Sequence, residues 1–432
     1  MKILQHPTRT AWITALERPA IDHRDLETKV AAILADVQQR GDTAVQDWTA
    51  KFDGVQLKDP SVTPDAFDWA DAQLDSSLKE AIRVAATNIE RFHRMQVLKE
   101  PVVETMPGVM CWRKQVPIER VGLYIPGGSA PLFSTVLMLG IPAAIAGCQE
   151  IILCTPPGKD GKVHPAILYA ARLAGITKVF AVGGVQAIGA MAYGTATIPS
   201  VYKIFGPGNQ YVTAAKQVVS RQGVAIDMPA GPSEVMVVAD DTAYPQFVSA
   251  DLLSQAEHGP DSQVVLLTTA ADLIPRVLEH IEIQLATLPR ADIARQALAN
   301  SVAIVAADEA QLADIANYYA AEHLILAMDT PLPFAEKITN AGSVFLGHYS
   351  PESVGDYASG TNHTLPTNGY ARMYSGVSLD AFVKKITYQQ LTPGGIREIG
   401  RHVALMASAE SLEAHRLAVE VRLDHLAKQD QP

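Results

Sequence analysis

The spacing of apolar side chains predicts helices in the first hundred residues. Two segments carry apolar residues at positions i, i+3, i+4 and i+7, which is the spacing of one buried helix face. The first face comprises Val30, Ile33, Leu34 and Val37, and the second comprises Leu78, Ile82, Ala85, Ile89 and Phe92. A stretch marked by proline and glycine begins at Pro101, and the pattern changes after it.

From about Val121, short apolar runs alternate with helical segments. The runs are VGLYI, EIILC, KVFAV, YKIFG, EVMVVAD, QVVLLT, SVAIV, HLILAM and SVFLG. Continuous apolar strands separated by helices are typical of parallel sheets that are covered on both faces. The strands could form one large sheet or two smaller ones. The loop DMPAGPSE (227–234) is rich in proline and glycine, and we predict that the chain crosses between domains there.

The segment after Leu365 returns to a helical pattern, which is clearest from Pro393 onward. It is long and amphipathic. Two arrangements fit it equally: an arm that packs on a partner subunit, or a helix pair folded back on its own core.

Composition and charge narrow the class of protein. A chain of 432 residues exceeds what one compact core usually serves, so we expect at least two domains. The net charge of −11 disfavours nucleic acids and anionic membranes as partners. Three cysteines in a chain of this length indicate a reducing compartment. There is no signal-peptide pattern, and the longest apolar run is too short to span a bilayer, so we expect a soluble cytoplasmic protein.

Three glycine-rich turns each lie between a predicted strand and a predicted helix. They occur in LYIPGGSAPLF, AVGGVQAIGAM and IFGPGNQYVTAAK, and Gly127 and Gly128 belong to the first. Such turns let the backbone approach a ligand and offer free N–H groups to an anion at the helix start. None has the G-x-G-x-x-G spacing of dinucleotide-binding proteins. Together they indicate a phosphate or nucleotide site, although each alone fits a tight connection.

Four pairs of polar residues are candidates for metal binding or proton transfer. They are Gln255 with His258, Glu322 with His323, Asp356 with His363, and Glu410 with His415. Residues three apart share a helix face, so Gln255 and His258 could hold a ligand or only cap a helix. Neighbours on an extended chain point to opposite sides, so Glu322 and His323 would act on different atoms or in successive steps. The alternative for that pair is an exposed position before a core strand.

The remaining candidates are less specific on their own. Aspartate is a hard oxygen ligand and histidine a borderline nitrogen ligand, so Asp356 and His363, in a predicted loop, could take part in a metal site. A histidine in a helix, such as His415, is usually solvated or packed. No spacing in the chain matches a structural zinc site.

Taken together, the motifs resemble those of the histidinol dehydrogenase family. The resemblance rests on LYIPGG, GPGNQYV, DMPAGPSE, DLLSQAEH, AEHL, GDYASGTNH and EAHRLAV, in the order of the family, over about residues 30 to 425. It implies an α/β fold with two incomplete Rossmann-like domains, parallel sheets covered by helices, a helical N-terminal segment and a helical C-terminal arm. The implied divisions are an N-terminal arm (1–20), a zinc and substrate domain (21–120 and 232–375), an NAD-binding domain (121–231) and a dimer-crossing arm (376–432).

The resemblance also assigns roles to individual residues. It implies one zinc ion per subunit, held by Gln255, His258, Asp356 and His415, which anchors the substrate. It implies substrate contacts from the same four residues and from Ser233, His323, His363 and Glu410. It places NAD contacts in the three glycine-turn segments, at Tyr124, Gln186 and Asn209.

The implied reaction is the oxidation of L-histidinol to L-histidine through histidinal, in two NAD-dependent hydride transfers that complete histidine biosynthesis. His323 would be the general base, and Glu322 would activate water for the aldehyde step. The family is a homodimer, so Glu410 and His415 would complete the partner's site. The chain departs from the family pattern at Ile325, where an acidic residue is expected, which would remove a contact that shapes the substrate pocket.

Two other functions are alternatives to the oxidation of histidinol. The first is a related zinc-dependent dehydrogenase of another small polar alcohol, such as a sulfonated diol, with its specificity set by pocket contacts. The second is a non-catalytic zinc- or nucleotide-binding protein that keeps the scaffold, since fold does not guarantee function.

Overall fold

The computed structural model describes residues 1–18, 23–127, 131–229 and 231–430. Gly128 of the first glycine turn lies outside the described residues. The chain divides into two compact units. The first comprises Met1–Gln96 and Ile118–Phe382, and the second comprises Val97–Pro117 and Val383–Pro432.

Helices and strands alternate through most of the first unit. Its strands are β1 (Lys2–Gln5), β4 (Arg120–Tyr124), β5 (Glu150–Thr155), β6 (Lys178–Ala181), β7 (Lys203–Phe205), β8 (Ala225–Ile226), β9 (Glu234–Ala239), β10 (Gln263–Thr268), β11 (Val302–Val305), β12 (His323–Ala327) and β13 (Ser343–Leu346). Its helices are α1 (Arg9–Ala15), α2 (His23–Arg40), α3 (Asp42–Asp53), α4 (Pro64–Gln73), α5 (Ser76–Arg94), α6 (Phe133–Ala146), α7 (Pro165–Leu173), α8 (Gly184–Tyr193), α9 (Gln210–Ser220), α10 (Pro245–Ala256), α11 (Leu273–Leu285), α12 (Ala291–Ala299), α13 (Glu309–Tyr319), α14 (Leu332–Ala335) and α15 (Glu352–Tyr357).

The first unit contains two parallel sheets. The five-stranded sheet has the order β6-β5-β4-β7-β8, and the six-stranded sheet has the order β1-β11-β10-β9-β12-β13. Apart from the added edge strand β1, each sheet therefore has the 3-2-1-4-5 strand order of a Rossmann fold. All nine predicted apolar runs are strands, which confirms the α/β prediction. The chain passes from one sheet to the other between Ile226 and Glu234, within the segment where the sequence predicted a crossover.

The helical periodicity of the N-terminal region describes α2 correctly and α5 in part. Val30 and Val37 of α2 are fully buried. In α5, Phe92 is 46% exposed and the next residue, His93, is buried instead. His93 can occupy the core because Nδ1 lies 2.8 Å from the carbonyl oxygen of Ile89 and Nε2 lies 3.4 Å from the Asn362 amide.

The N-terminal helices pack against the five-stranded sheet. The buried face of α2 joins a core with Tyr124 and Ile152, and that of α5 joins a core with Val121 and Leu123. The sequence analysis assigned 21–120 to the zinc and substrate domain, whereas these contacts associate α2 to α5 with the nucleotide-type sheet. Residues 1–20 were expected to form an arm, but β1 pairs with β11 at the edge of the six-stranded sheet and α1 follows it.

The second unit has a different architecture. Its antiparallel sheet has the order β14-β3-β2, formed by β2 (Val103–Met106), β3 (Val109–Pro117) and β14 (Val383–Leu391), and is followed by α16 (Pro393–Ala409) and α17 (Glu413–Gln429). The prediction of a helical arm over 376–432 therefore needs correction, because β14 precedes the helices. Val383, Ile386 and Tyr388 favour a strand, and β14 pairs with β3 over its whole length.

The first helix of the second unit begins where the sequence predicted. The Thr392 hydroxyl accepts the Gly395 N–H at 3.0 Å, and Pro393 occupies the first helical position. Gly400 lets α16 and α17 approach closely, since a Cβ there would meet Val419 and Leu423 at 3.0–3.1 Å. Across the described parts of both units, no helix is long and apolar enough to cross a membrane.

Candidate active site

The Glu322–His323 pair lies at the amino end of β12, a central strand of the six-stranded sheet. Both side chains are buried, with exposures of 7% and 3%. Neighbours on an extended chain are expected to point in opposite directions, but Glu322 Oε2 and His323 Nδ1 are 3.7 Å apart. Glu322 precedes the first strand residue, so strict strand alternation does not apply to it. The pair forms one buried acid–base couple.

His323 has polar neighbours on both ring nitrogens. Its Nε2 lies 3.2 Å from Asp356 Oδ1, and its Nδ1 lies 3.4 Å from the Gln255 amide nitrogen. Burial alone would lower the pKa of His323, but the nearby carboxylates, led by Glu322, outweigh it and raise the pKa to about 10. The imidazole is therefore held between two of the predicted metal ligands.

Glu322 is fixed by the backbone of the neighbouring strand. Its Oε2 accepts the N–H of Glu234, the first residue of β9, at 3.0 Å. Burial is the main cause that raises the pKa of Glu322 to about 7, and the nearby His323 opposes the rise. A carboxyl with a pKa near neutrality can accept a proton from water under physiological conditions.

Three of the four predicted metal ligands lie in the first unit. Gln255 is in the last turn of α10, and its Oε1 is buried without a hydrogen-bond partner among the described residues. His258 lies two residues beyond the end of α10 and is exposed, so the helix-face argument does not hold for it. Asp356 lies in the short helix α15, not in the predicted loop. Within the described ranges, no three or more His, Cys, Asp or Glu side chains are grouped to hold a metal ion.

The other two residues of the predicted site belong to the second unit. Glu410 follows α16 as its C-cap, and His415 lies in the first turn of α17. Both side chains are exposed in the single chain.

A cavity of about 250 Å³ adjoins Glu322 of the buried pair, and Ser233 and His363 are also among its lining residues. The His363 ring is held on both sides, with Nδ1 2.7 Å from the carbonyl oxygen of Asp356 and Nε2 3.0 Å from the Thr135 hydroxyl. The structure thus brings two predicted substrate contacts to the same space as the predicted water-activating carboxyl.

A larger cavity of about 1000 Å³ lies at the carboxyl ends of the five-stranded sheet. The three predicted cofactor residues, Tyr124, Gln186 and Asn209, all line it. Gln186 is fully buried, and neither atom of its amide has a hydrogen-bond partner within the described chain. The Tyr124 hydroxyl accepts the N–H of Gly184 at 3.1 Å, and burial raises its pKa to about 12.

The two cavities are neighbours. Asn209 and Pro126 line both of them. The side-chain oxygen of Asn209 caps α9 by accepting the N–H groups of Tyr211 and Val212 at 3.0 and 3.1 Å, which leaves its NH₂ group to donate elsewhere. A nucleotide in the larger cavity could therefore reach a small molecule beside Glu322.

Two features of this site were not found from the sequence. Glu352 is buried, receives a hydrogen bond from the Ser254 hydroxyl, and has Oε2 4.0 Å from His323 Nδ1. Glu234 forms a two-fold hydrogen bond with Arg18 at 2.6 and 2.9 Å. Neither contact has a spacing signal in the sequence, because each joins segments far apart in the chain.

Ile325 does not line either of these two cavities. It is 1% exposed in the middle of β12 and packs in a core with Val235, Val237 and Phe345. The departure from the family pattern at this position therefore affects the core and not the pocket wall.

Known proteins share this sequence and this fold. The family model described as histidinol dehydrogenase matches residues 16–423. The chain is 57% identical to histidinol dehydrogenase of Bacteroides fragilis strain YCH46, over 99% of this chain and 100% of that one. It is 54% identical to the Xylella fastidiosa protein of the same name, over 91% and 92% of the two chains. The crystal structure of histidinol dehydrogenase from Elizabethkingia anophelis superposes with a TM-score of 0.97 at 55% identity, covering 99% of each chain.

Proposed function

Because this chain belongs to the histidinol dehydrogenase family and is therefore an oxidoreductase, we propose that it oxidises L-histidinol to L-histidine in two NAD-dependent steps through histidinal. This reaction would complete histidine biosynthesis. The observation that carries the proposal is that the two cavities share Asn209 and Pro126 in their linings and that Glu322 of the buried Glu–His pair lines the smaller one. Hydride transfer needs the nicotinamide ring and the carbinol carbon in contact. Neighbouring cavities that share lining residues would place the two ligands side by side.

In the first oxidation, the imidazole of His323 accepts the proton of the substrate hydroxyl. NAD would supply the acceptor for the hydride that leaves the carbinol carbon. Gln255 and Asp356 fix the His323 ring from both sides. The pKa of about 10 keeps this imidazole protonated at neutral pH in the metal-free chain, and zinc bound to Asp356 would offset the negative charge that raises the pKa and so favour the neutral base. Burial around the pair excludes bulk water, which limits competing proton exchange.

In the second oxidation, Glu322 accepts a proton from the water that adds to the aldehyde. Its carboxylate is oriented by the N–H of Glu234, and its pKa of about 7 leaves a large ionised fraction at neutral pH. His323 then accepts the hydroxyl proton of the hydrate, as in the first step. The 3.7 Å between the two side chains suits two proton acceptors that serve one carbon atom in turn.

The proposed zinc ligands are Gln255, His258, Asp356 and His415. The unpartnered buried oxygen of Gln255 is the structural feature that supports this, because such an atom costs free energy unless a ligand engages it. Two imidazoles, a carboxylate and an amide oxygen form a donor set that zinc accepts. Zinc, when bound, would supply positive charge that anchors the substrate's imidazole and amino nitrogens.

The remaining assignments complete the proposal. Ser233, His363 and Glu410 contact the substrate, and Tyr124, Gln186 and Asn209 contact NAD. The functional form is a homodimer in which Glu410 and His415 complete the partner's site. All three cysteines are free of disulfides, which supports a reducing, cytoplasmic location.

The test is the amount of NADH formed per L-histidinol consumed, before and after chelation and after zinc is added back. We expect two NADH per histidinol, lost with the chelator and restored by zinc. One NADH per histidinol would reject the aldehyde step. No NADH from a zinc-loaded dimer, together with turnover of another small polar alcohol, would favour the related dehydrogenase instead.

A further inference from the structure

Asp53 lines the cofactor cavity from an element outside the sheet. It is the last residue of α3, and Gly54, with φ of 71°, ends the helix directly after it. The side chain shares the cavity wall with Tyr124 and Gln186. Asp53 Oδ2 is buried and has no hydrogen-bond partner among the residues that the structure describes. Burial raises the pKa of this carboxyl, so the position is costly for the protein alone.

The five-stranded sheet has no acidic residue at the position where a Rossmann fold usually places the residue that binds the ribose. In a Rossmann fold, an acidic residue at the end of the second strand accepts the 2′-hydroxyl of the adenosine ribose. The corresponding strand here is β5, which ends at Thr155 and is followed by Pro156 and Pro157. The next acid, Asp160, lines a different cavity and accepts the Lys162 N–H at 3.1 Å within its own turn. The cavity therefore takes its carboxylate from α3.

The charges around the cavity agree with a dinucleotide. Lys29, Lys51 and Lys159 line the same cavity as Asp53, and their positive charges suit a pyrophosphate. A carboxylate in this setting suits a ligand group that donates hydrogen bonds, and the ribose hydroxyls are such groups. Asp53 lines the larger cavity and not the one beside Glu322, so it lies on the adenosine side of a bound dinucleotide.

We propose that Asp53 accepts hydrogen bonds from the adenosine ribose hydroxyls of NAD and thereby selects NAD against NADP. The inference rests on the proposed use of NAD and adds the residue that sets the choice of nucleotide. A 2′-phosphate would replace the donating hydroxyl with a dianion beside the carboxylate, so NADP loses the contact and meets repulsion.

Isothermal titration of the full-length protein with NAD and with NADP tests the proposal. In Asp53→Asn, we expect NAD to bind about 10-fold more weakly and NADP to bind no more weakly, so the NAD preference falls at least about 10-fold. Asp47→Asn is the control, because Asp47 lies on the same helix, is exposed, and pairs with Arg40 at 2.7 Å. That variant should keep the preference of the unmodified protein.

A second measurement uses the unmodified protein and does not depend on the folding of a variant. An NAD analogue that lacks the adenosine 2′-hydroxyl should bind about 10-fold more weakly than NAD. Equal binding of NAD and the analogue, or an unchanged NAD preference in folded Asp53→Asn, overturns the role of Asp53 while leaving NAD as the cofactor. An unmodified protein that binds no NAD overturns the cofactor assignment as well.

Discussion

Glu322 and His323 are neighbours in the chain, yet their surroundings give them separate tasks. His323 is held by Gln255 and Asp356, whereas Glu322 is held by a backbone N–H. The first set of contacts fixes an imidazole near the predicted metal ligands. The second leaves one carboxylate oxygen free to take a proton, so removal of this carboxylate should impair the aldehyde step most.

Glu322→Gln should therefore oxidise L-histidinol only as far as histidinal. The amide keeps the shape of the side chain but cannot accept the proton of the attacking water. We expect close to one NADH per histidinol consumed, and loss of histidinal oxidation by about 10²-fold or more. An aldehyde-trapping reagent would measure the released histidinal. Two NADH per histidinol from this variant would contradict the role of Glu322.

The pKa of Glu322 also predicts a pH dependence for the unmodified enzyme. Burial raises this pKa to about 7, while His323 and the backbone N–H of Glu234 oppose the rise and the charges of Glu234 and Asp356 add to it. The ionised carboxylate is the active form, so kcat/KM for histidinal should decline as pH falls below about 7. A profile that stays flat from pH 6 to 8, measured with saturating NAD, would assign the base to another group.

Arg18 stabilises Glu234, the residue whose backbone N–H holds Glu322. Its guanidinium binds the buried carboxylate of Glu234 and stacks on the Tyr319 ring at 4.0 Å. Arg18→Met would leave that carboxylate buried and unpaired, and we expect the free energy of unfolding in urea to fall by about 3 kcal/mol.

The control for this change is Arg295→Met, which removes a two-fold contact with Glu282 at the surface. Both of those side chains are at least half exposed, so the loss should stay below about 1 kcal/mol. Equal losses from the two variants would show that burial of Glu234 is not what makes Arg18 important.

Apart from β13, the strands that the sequence predicted are more buried than β3 and β14, which it did not predict. β9, β10 and β12 are buried at every position, so they appear in the sequence as continuous apolar runs. β3 and β14 are half-buried or exposed along most of their length and mix charged with apolar residues, which gives no such run. Edge and hairpin strands are stabilised by the strands they pair with. Those partners are distant in the sequence, so the local pattern of residues does not reveal them.

The active-site residues show the same limit. Glycine turns after apolar strands indicated a nucleotide site from local pattern alone, and the cavity beside Tyr124, Gln186 and Asn209 agrees with it. The contacts of His323 with Gln255 and Asp356 join segments 68 and 33 residues away. No spacing rule covers such distances, so only the family resemblance could propose that set.

The loops between the two cavities are held by one buried ion pair. Lys216 on α9 pairs with Asp227, and its Nζ donates to the Gly206 carbonyl at 2.8 Å. Asp227 accepts the N–H groups of Gly206 and Met228, each at 2.8 Å. This network links the turn after β7 to the segment that leads into β9, and both line the cavity beside Glu322.

Lys216→Met should therefore loosen both loops and weaken NAD binding by about 10-fold, together with a loss of about 3 kcal/mol in stability. Titration calorimetry and urea unfolding would measure the two effects. Arg221→Met removes an exposed pair with Glu27 just beyond the same helix and should change neither. Normal NAD affinity in a destabilised Lys216→Met protein would show that the ion pair contributes to stability and not to NAD binding.

The helices of the second unit leave apolar surface uncovered in the single chain. α17 has no buried residue. The most exposed apolar side chains of the two helices are Leu405 (71%), Met406 (66%), Leu417 (55%) and Val421 (50%). Apolar surface of this extent on a helix pair indicates an interaction with another protein. A second copy of the chain is the proposed partner, and it would receive Glu410 and His415 with the helices.

A chain that ends after Leu391 should therefore lose dimerisation and zinc binding together. It keeps β14, so the antiparallel sheet remains paired, but it lacks α16, α17 and His415. We expect a monomer by light scattering and less than stoichiometric zinc by elemental analysis.

His415→Ala should separate the two effects, because it removes one proposed ligand while the apolar faces of both helices stay intact. We expect this variant to be a dimer that binds zinc poorly. His425→Ala, on the same helix and outside the proposed ligand set, should remain a zinc-loaded dimer. A truncated monomer with one zinc per chain would show that the metal site is complete within a single subunit.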